Sequence, residues 1–342
     1  MRALQIVDYG RPLAEAVLTD PVPGPGELVV SIRAAGICRS DVHYRSGSRP
    51  VPSLPLVPGH EVAGVVDAVG PGVEQPMVGD RVCLHYLISC GGCDACRRGA
   101  EQFCASGQMI GLDRQGGYAE RILMPARNAF PIPDAVSMEA AAVMMCSTAT
   151  AYHALRRGGL AAGESVAVFG SGGVGMSAIQ LAGALGAFEV FAVDVNPAKL
   201  AAATGYGAIP VHAGDSDPVA QILDFTGGRG VDVTLEMVGL PLTMSQSIAS
   251  LAPGGRAVAV GLTHEEFGMN AYRDLVRREA LVTGSADHLA AEIPVLLEMA
   301  RRGTLDLSGV VTTTIPLDPA AVETALVALE GFGDDTRTVI AS

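Results

Sequence analysis

The chain of 342 residues carries 23 Lys+Arg against 36 Asp+Glu, a net charge of −13, and is 49% hydrophobic and 17% charged. These figures exclude a disordered chain and a disulfide-stapled miniprotein, and the length suits about two domains with separate cores. They also argue against a nucleic-acid partner, because gripping phosphate needs a basic face and no basic cluster here is longer than a pair.

Arg2, Asp8, Arg11 and Glu15 break up the N-terminus, leaving no apolar stretch suited to a secretory signal. The longest uncharged run, Ser165 to Phe188, is long enough for a membrane span but holds six glycines, so a strand, turn and helix is the better reading. A cytoplasmic chain without a membrane partner is expected. In that reducing setting, seven cysteines point to metal or catalysis rather than disulfides.

Over about the first 130 residues, Pro and Gly recur at short intervals, as in Pro21 to Gly26 and Pro50 to Pro55. β-branched stretches such as Leu28 to Ile32 and Glu61 to Val69 lie between them, predicting short strands in a barrel or sandwich. From Ser165 the texture changes. Strands are predicted at Ser165 to Phe169, Glu189 to Val193, Val231 to Leu235, Arg256 to Val260 and Ala280 to Thr283. Helices are predicted at Val174 to Leu185 and Leu242 to Leu251. Such alternation is the mark of a parallel sheet wrapped by helices.

The strand ending at Phe169 runs into Gly170-Ser171-Gly172-Gly173-Val174-Gly175, which opens a helix. In a chain with 42 glycines, G-x-G-x-x-G alone is a weak signal. Its position between strand and helix strengthens it, as does Asp194 at the end of the next strand, 19 residues past Gly175. Gly170 suits the tight turn, Gly172 the approach of a pyrophosphate, and Gly175 close helix packing. A carboxylate at Asp194 accepts ribose hydroxyls and repels a 2′-phosphate, so NAD is expected over NADP; the competing reading is a strand-end turn residue.

Cys90, Cys93, Cys96 and Cys104 place four thiols within fifteen residues, a spacing that closes a tetrahedral structural zinc site. Buried or redox-active cysteines are the alternative. Cys38, Cys83 and Cys146 remain. A catalytic zinc takes three protein ligands, and Cys, His, Cys is a known set. Spacing alone does not bring Cys38, His60 and Cys146 together, and a histidine in a glycine-flanked turn is often structural. Cys83, in an apolar stretch, reads as a small buried hydrophobe.

Gly36-Ile-Cys-Arg-Ser-Asp-Val-His43, Gly59-His-Glu61, the Cys90 to Cys104 spacing, Cys146 before Thr150, and Gly170 to Gly175 occur in the order of one family. Across essentially the whole chain, the sequence resembles the zinc-dependent medium-chain alcohol dehydrogenases. The resemblance implies an α/β protein: a Rossmann doubly wound parallel sheet at 148–286, interrupting a GroES-like β-rich catalytic domain at 1–147 and 287–342. The structural zinc lobe would lie at 90–104.

By that resemblance, Cys38, His60 and Cys146 hold the catalytic zinc, with Glu61 a possible exchange ligand. Asp41 receives the His60 ring N–H, while Ser40 and His43 are two ends of a proton relay. Arg39 and, more loosely, Arg337 contact the cofactor pyrophosphate; Thr150 lies against the nicotinamide and Lys199 near the adenosine ribose. Tyr86 and Leu87 belong to the substrate-pocket region. Ser40 and Asp41 could instead cap a helix, and Arg39, Lys199 and Arg337 could be surface charges.

The implied activity is reversible oxidation of a primary or secondary alcohol, aliphatic or aromatic, to aldehyde or ketone, with hydride passing to NAD. A homo-oligomer, tetramer or dimer, is implied as well. The alternatives are a polyol or sugar dehydrogenase of the same superfamily, in which a Glu takes the third ligand role, and a catalytically silent module binding zinc and NAD.

Overall fold

The computed structural model describes residues 1–307, 309–330 and 337–341. In chain order the N-terminal part holds β1 (Arg2–Gln5), β2 (Ala14–Val17), β3 (Glu27–Gly36), α1 (Arg39–Ser46), β4 (Glu61–Val69), β5 (Arg81–Leu84), β6 (Leu87–Ile88), α2 (Asp94–Arg97), β7 (Gln108–Met109), β8 (Arg121–Pro125), β9 (Ala129–Pro131) and α3 (Met138–Val143). There follow α4 (Ala149–Arg157), β10 (Ser165–Phe169), α5 (Gly173–Ala184), β11 (Glu189–Asp194), α6 (Pro197–Gly205), β12 (Ile209–His212), α7 (Pro218–Phe225), β13 (Val231–Glu236), α8 (Pro241–Ala249), β14 (Leu251–Ala259) and β15 (Leu281–Gly284). The C-terminal part adds α9 (Ile293–Arg301), β16 (Thr313–Ile315), α10 (Pro319–Glu330) and β17 (Thr338–Ala341).

These elements form two compact units, Met1–Cys146 with Leu289–Ser342, and Ser147–His288. The first is built on a sheet of order β16-β17-β3-β4-β5-β9, with β8 also paired to β3. Its strands pair antiparallel except β16 and β17. The long β3 pairs with β4, β8 and β17, and consecutive buried residues such as Leu28, Val29 and Val30 show that both of its faces are covered. Apolar residues along β3 and β4 therefore run together instead of alternating. Register shifts between Ile32/Ala34 and Val29/Val30 bend the β3–β4 pair.

The second unit is a six-stranded parallel sheet of order β12-β11-β10-β13-β14-β15. The order reverses at β10, which makes the carboxyl end of that strand the ligand-binding switch point of a doubly wound sheet. Predicted and observed strands agree closely, except that β14 begins at Leu251. Leu251 pairs with Val231 before a register shift, so the strand continues through Pro253-Gly-Gly, residues that read as a turn in sequence. No helix among the described residues is long and apolar enough to cross a membrane.

Candidate active site and metal centres

Cys38 is the residue on which α1 begins. Its backbone N–H donates to Asp41 Oδ2 at 2.9 Å, so Asp41 caps the helix three residues on, as the bland reading of that residue expected. His60 and Glu61 sit at the entrance to β4, where β3 ends opposite: Gly36 pairs with Glu61. A side chain at Gly36 would strike the Glu61 carboxylate at 2.0 Å, so glycine there makes room for it. Cys146 comes from a five-residue π-helical turn, Met144–Thr148, between α3 and α4. Such turns are frequent at functional sites, because one extra residue re-aims the side chains.

The donor atoms of Cys38, His60, Glu61 and Cys146 lie within 4.8 Å of one another, so the structure brings together the three expected ligands and the possible exchange ligand. The Cys38 and Cys146 sulfurs are 4.0 Å apart. A tetrahedral zinc with arms of about 2.3 Å needs sulfurs about 3.8 Å apart, so the spacing fits the ion.

The electrostatics fit it as well. The Cys38 thiol is held well below its usual range by Cys146, His60 and Arg337, which outweigh burial, whereas Cys146 is pushed up by its bond to that thiolate. Burial pulls His60 down, but Asp41 and Cys38 reverse the balance and raise it. A buried thiolate favouring positive neighbours is a ready cation site.

Asp41 is buried and its carboxylate accepts from the Cys38 N–H at 2.9 Å, the Gly59 N–H at 3.1 Å and the Tyr118 hydroxyl at 3.1 Å. The expected bond from His60 is not formed. Its Nδ1 lies 3.8 Å from Asp41 Oδ1, an electrostatic contact too long for a hydrogen bond.

Glu61 is fully buried, with Arg337 Nη2 3.0 Å from its Oε1, an ion pair whose angle falls outside hydrogen-bond geometry. Burial pushes the Glu61 carboxyl up to about 7, against the pull of Arg337. Arg337, expected as a loose phosphate contact or a surface charge, is buried against Glu61, and its Nη1 donates to the Ile37 carbonyl at 3.4 Å. The surface-charge alternative is thereby overturned.

On α1, Arg39 is exposed, and Ser40 Oγ lies 3.9 Å from the Cys38 sulfur. His43 Nδ1 contacts Ser48 Oγ at 3.1 Å, and burial with Arg39 nearby lowers the His43 pKa, keeping the ring neutral near pH 7. Tyr86 is buried with its ring edge-on to His60 at 5.2 Å, and Leu87 beside it is half-buried.

Cys90, Cys93, Cys96 and Cys104 also bring their sulfurs within 4.8 Å. The Cys93–Cys96 and Cys90–Cys96 separations, 3.5 and 3.9 Å, bracket the tetrahedral edge. The N–H groups of Gly92 and Cys93 donate to Cys90 Sγ and hold its thiol down at about 6, favouring a metal-binding thiolate. Glu101 tethers this loop by accepting the Ala290 N–H at 2.6 Å.

In the second unit, β10 delivers the glycine loop to the switch point. Gly170 has φ +94°, and a Cβ at Gly175 would meet the Gly170 carbonyl oxygen at 1.8 Å. At Gly172 an added Cβ meets nothing, so the loop's open side faces space that a pyrophosphate can fill. Gly173 and Val174 form the first turn of α5 behind it. Asp194 ends β11; its carboxylate accepts from Ser171 N at 2.7 Å and Asn196 N at 2.9 Å, which fixes it beside the loop. Thr150 lies in the first turn of α4 and Lys199 in that of α6, both half-buried.

Two family models match the chain: the alcohol dehydrogenase GroES-like domain over residues 24–134, and the zinc-binding dehydrogenase over 173–302. An alcohol dehydrogenase of Geobacillus stearothermophilus is 37% identical over 305 residues, covering 89% of this chain and 90% of that protein. The chain belongs to the zinc-dependent medium-chain dehydrogenase/reductase family. An NAD-dependent alcohol dehydrogenase of Sulfurisphaera tokodaii is 32% identical, with 99% of each chain covered. Alcohol dehydrogenase TADH from Thermus sp. ATN1 superposes with a TM-score of 0.93 at 32% identity, covering 100% of this chain and 99% of that one.

Within this medium-chain dehydrogenase, sequence reasoning missed Tyr118 and Arg45. Tyr118 follows Gly116-Gly117, and that glycine pair is the available signal, since it lets the backbone run against the His60 loop. Arg45, on α1, is buried and paired to Glu323 and Glu330 of α10, pinning the helix that carries Ser40, Asp41 and His43.

Proposed function

We propose that this protein is an NAD-dependent zinc alcohol dehydrogenase, interconverting a primary or secondary alcohol, aliphatic or aromatic, with its aldehyde or ketone. The observation that carries the reading is the convergence of Cys38, His60, Glu61 and Cys146 donor atoms within 4.8 Å, in a chain that also has the glycine loop and Asp194. When bound, zinc supplies Lewis acidity and NAD accepts hydride.

Cys38, His60 and Cys146 hold the cation, and their two sulfurs offset its charge. Glu61 waits beside it with Arg337 as counter-ion, able to approach as an exchange ligand. Ser40 takes the proton that an ionising alcohol releases, and His43, neutral and near the surface of α1, passes it to solvent. Gly170 to Gly175 cradle the pyrophosphate with Arg39, while Asp194 accepts the adenosine ribose hydroxyls and Lys199 lies near them. Thr150 supports the nicotinamide. Tyr86 and Leu87 help give the substrate pocket an apolar wall. Cys90, Cys93, Cys96 and Cys104 close a structural zinc site.

The catalytic domain is assigned to 1–147 and 287–342, and the NAD domain to 148–286. A cytoplasmic setting is supported by seven free cysteines, six of them in two thiol clusters that need a reducing environment. A homo-oligomer, tetramer or dimer, is supported by exposed Leu262, Tyr272 and Val276, apolar residues of the segment that leads into β15, and by exposed Leu281 on that edge strand itself.

The test combines metal analysis with a panel of secondary, aromatic and polyhydroxy alcohols. Two zinc ions per chain and NAD reduction with simple alcohols support the reading. Preference for polyhydroxy alcohols would favour the polyol dehydrogenase reading, which the position of Glu61 in the donor cluster recommends as second. Bound metal and NAD without turnover would mark a silent module.

A further inference from the structure

Tyr86 sits in a gap between two ladders. β5 ends at Leu84, opposite Ala129 at the start of β9, and β6 begins at Leu87, opposite Met109 of β7. Pairing with the β9 chain reaches one residue further, where His85 N donates to the Asn128 carbonyl at 2.8 Å. Before Asn128 that chain is coiled into the helical turn Ala126–Asn128, so no strand lies beside residues 85–87 on this side. Their backbone groups need other partners.

The Asn128 side chain supplies them. Its Nδ2 donates to the His85 carbonyl and to the Leu87 carbonyl, both at 2.8 Å, so one amide grips the backbone on either side of Tyr86. The Tyr86 carbonyl accepts from Ile110 N at 3.2 Å. Asn128 is buried, and among side chains this short only asparagine carries two donor hydrogens on one atom. Arg127, next to it on the same turn, donates instead to the Ser89 carbonyl, beyond the gripped strip.

What the strip presents is the wall of the site. The buried Tyr86 ring stands edge-on to the His60 ring, with centroids 5.2 Å apart and planes at 83°, and half-buried Leu87 follows it. The depth of this wall is set by where the backbone of residues 85–87 is held.

We propose that Asn128 is a positioning residue for substrate selection: by gripping the carbonyls on either side of Tyr86, it fixes the apolar wall of Tyr86 and Leu87 and so sets which alcohols fit. This rests on the alcohol dehydrogenase reading above, in which those two residues line the substrate pocket. Without the amide, two carbonyls lose their donor, and the strip makes good that loss only by shifting toward other donors. The wall then yields to the substrate instead of selecting it.

The experiment measures kcat and KM with NAD for secondary and aromatic alcohols graded in size, in the parent, Asn128→Ala, Asn128→Asp and Arg127→Ala. Asn128→Asp keeps the shape but puts an acceptor where the donor was. Hydrogen exchange over residues 84–89 is followed in the same proteins. Both Asn128 variants should narrow the spread of kcat/KM across the series by about tenfold, the scale of a one-methylene misfit. The change should come mainly through KM, because the wall binds ground and transition states alike. Exchange over 84–89 should quicken by about tenfold. Arg127→Ala, which loses the bond to Ser89 but leaves Tyr86 gripped, should keep the parent's spread. If Asn128→Asp does not fold, Asn128→Ala alone decides. An unchanged spread in the Asn128 variants, narrowing without faster exchange, or equal narrowing in Arg127→Ala overturns the role of Asn128 and leaves the dehydrogenase reading intact. A parent that oxidises none of the alcohols overturns both.

Discussion

Arg337 Nη2 lies 3.0 Å from Glu61 Oε1, both side chains buried, so the end of the chain supplies the counter-charge for a carboxylate inside the donor cluster. Burial pulls the Arg337 charge down, but Glu61 and the two site cysteines outweigh it and hold the guanidinium charged. Removing one partner of such a pair strands the other. At pH 8, where Glu61 is ionised, Arg337→Met should therefore destabilise the protein by about 3–5 kcal/mol, and the double change with Glu61→Gln should recover much of that loss. Urea denaturation of the four proteins in the cycle measures it; strictly additive losses would show that the two groups do not interact.

Glu61 also predicts a pH dependence. Folding raises its pKa from the ordinary 4.5 to about 7, so the folded state keeps the proton longer than the unfolded state. The associated stability is complete below about 4.5 and is lost as pH rises toward 7, on the order of 3 kcal/mol in all. The zinc-stripped protein should show this fall and its Glu61→Gln form should not. Parallel stability curves for the two would contradict it.

Cys38→Ser should reduce the zinc content from two ions per chain to one while the fold persists. Turnover should fall by at least about 1,000-fold, since a bound metal's charge stabilisation is worth several kcal/mol. Metal analysis beside initial rates and circular dichroism checks this, and near-normal turnover would refute the ligand assignment.

Cys93→Ser should also cost one zinc but leave the rate per folded molecule nearly unchanged. The ion it loses ties down a loop whose other anchor is the Glu101 to Ala290 bond, so the expected effect is a Tm lower by about 5–10 °C. Abolished chemistry in well-folded protein would mean that this lobe acts on the reaction.

How much of this was legible in the sequence depends on whether the signal is local. Strands Ser165–Phe169 and Glu61–Val69 and the glycine loop are written in contiguous residues, by apolar runs bounded with Gly and Pro. The four clustered cysteines are likewise close in sequence. The meeting of Cys38, His60 and Cys146 was reachable only through the family resemblance, because it depends on β3 pairing with β4 and on a π-helical turn that no periodicity announces. The partners of Arg337 and the phenol on Asp41 were not legible at all. Each joins segments far apart in sequence, and nothing in an isolated Arg or Tyr shows which buried carboxylate it will meet.

Asp194 offers the test of cofactor choice. Its two oxygens are held by Ser171 N and Asn196 N, which orient the carboxylate beside the glycine loop without neutralising it. The remaining lone pairs can accept ribose hydroxyls, and the charge repels a 2′-phosphate. Hydrogen bonds to a charged group contribute about 1.5–3 kcal/mol each. Asp194→Ala should therefore lower kcat/KM with NAD by roughly 10- to 100-fold and narrow the preference over NADP, because the repulsion goes as well. The change also removes the acceptor that fixes the Ser171 N–H, loosening the loop for both cofactors, so NADP efficiency should rise less than NAD efficiency falls. Steady-state kinetics with both cofactors decides the matter: a parent enzyme equally efficient with NADP would remove Asp194 from the selectivity.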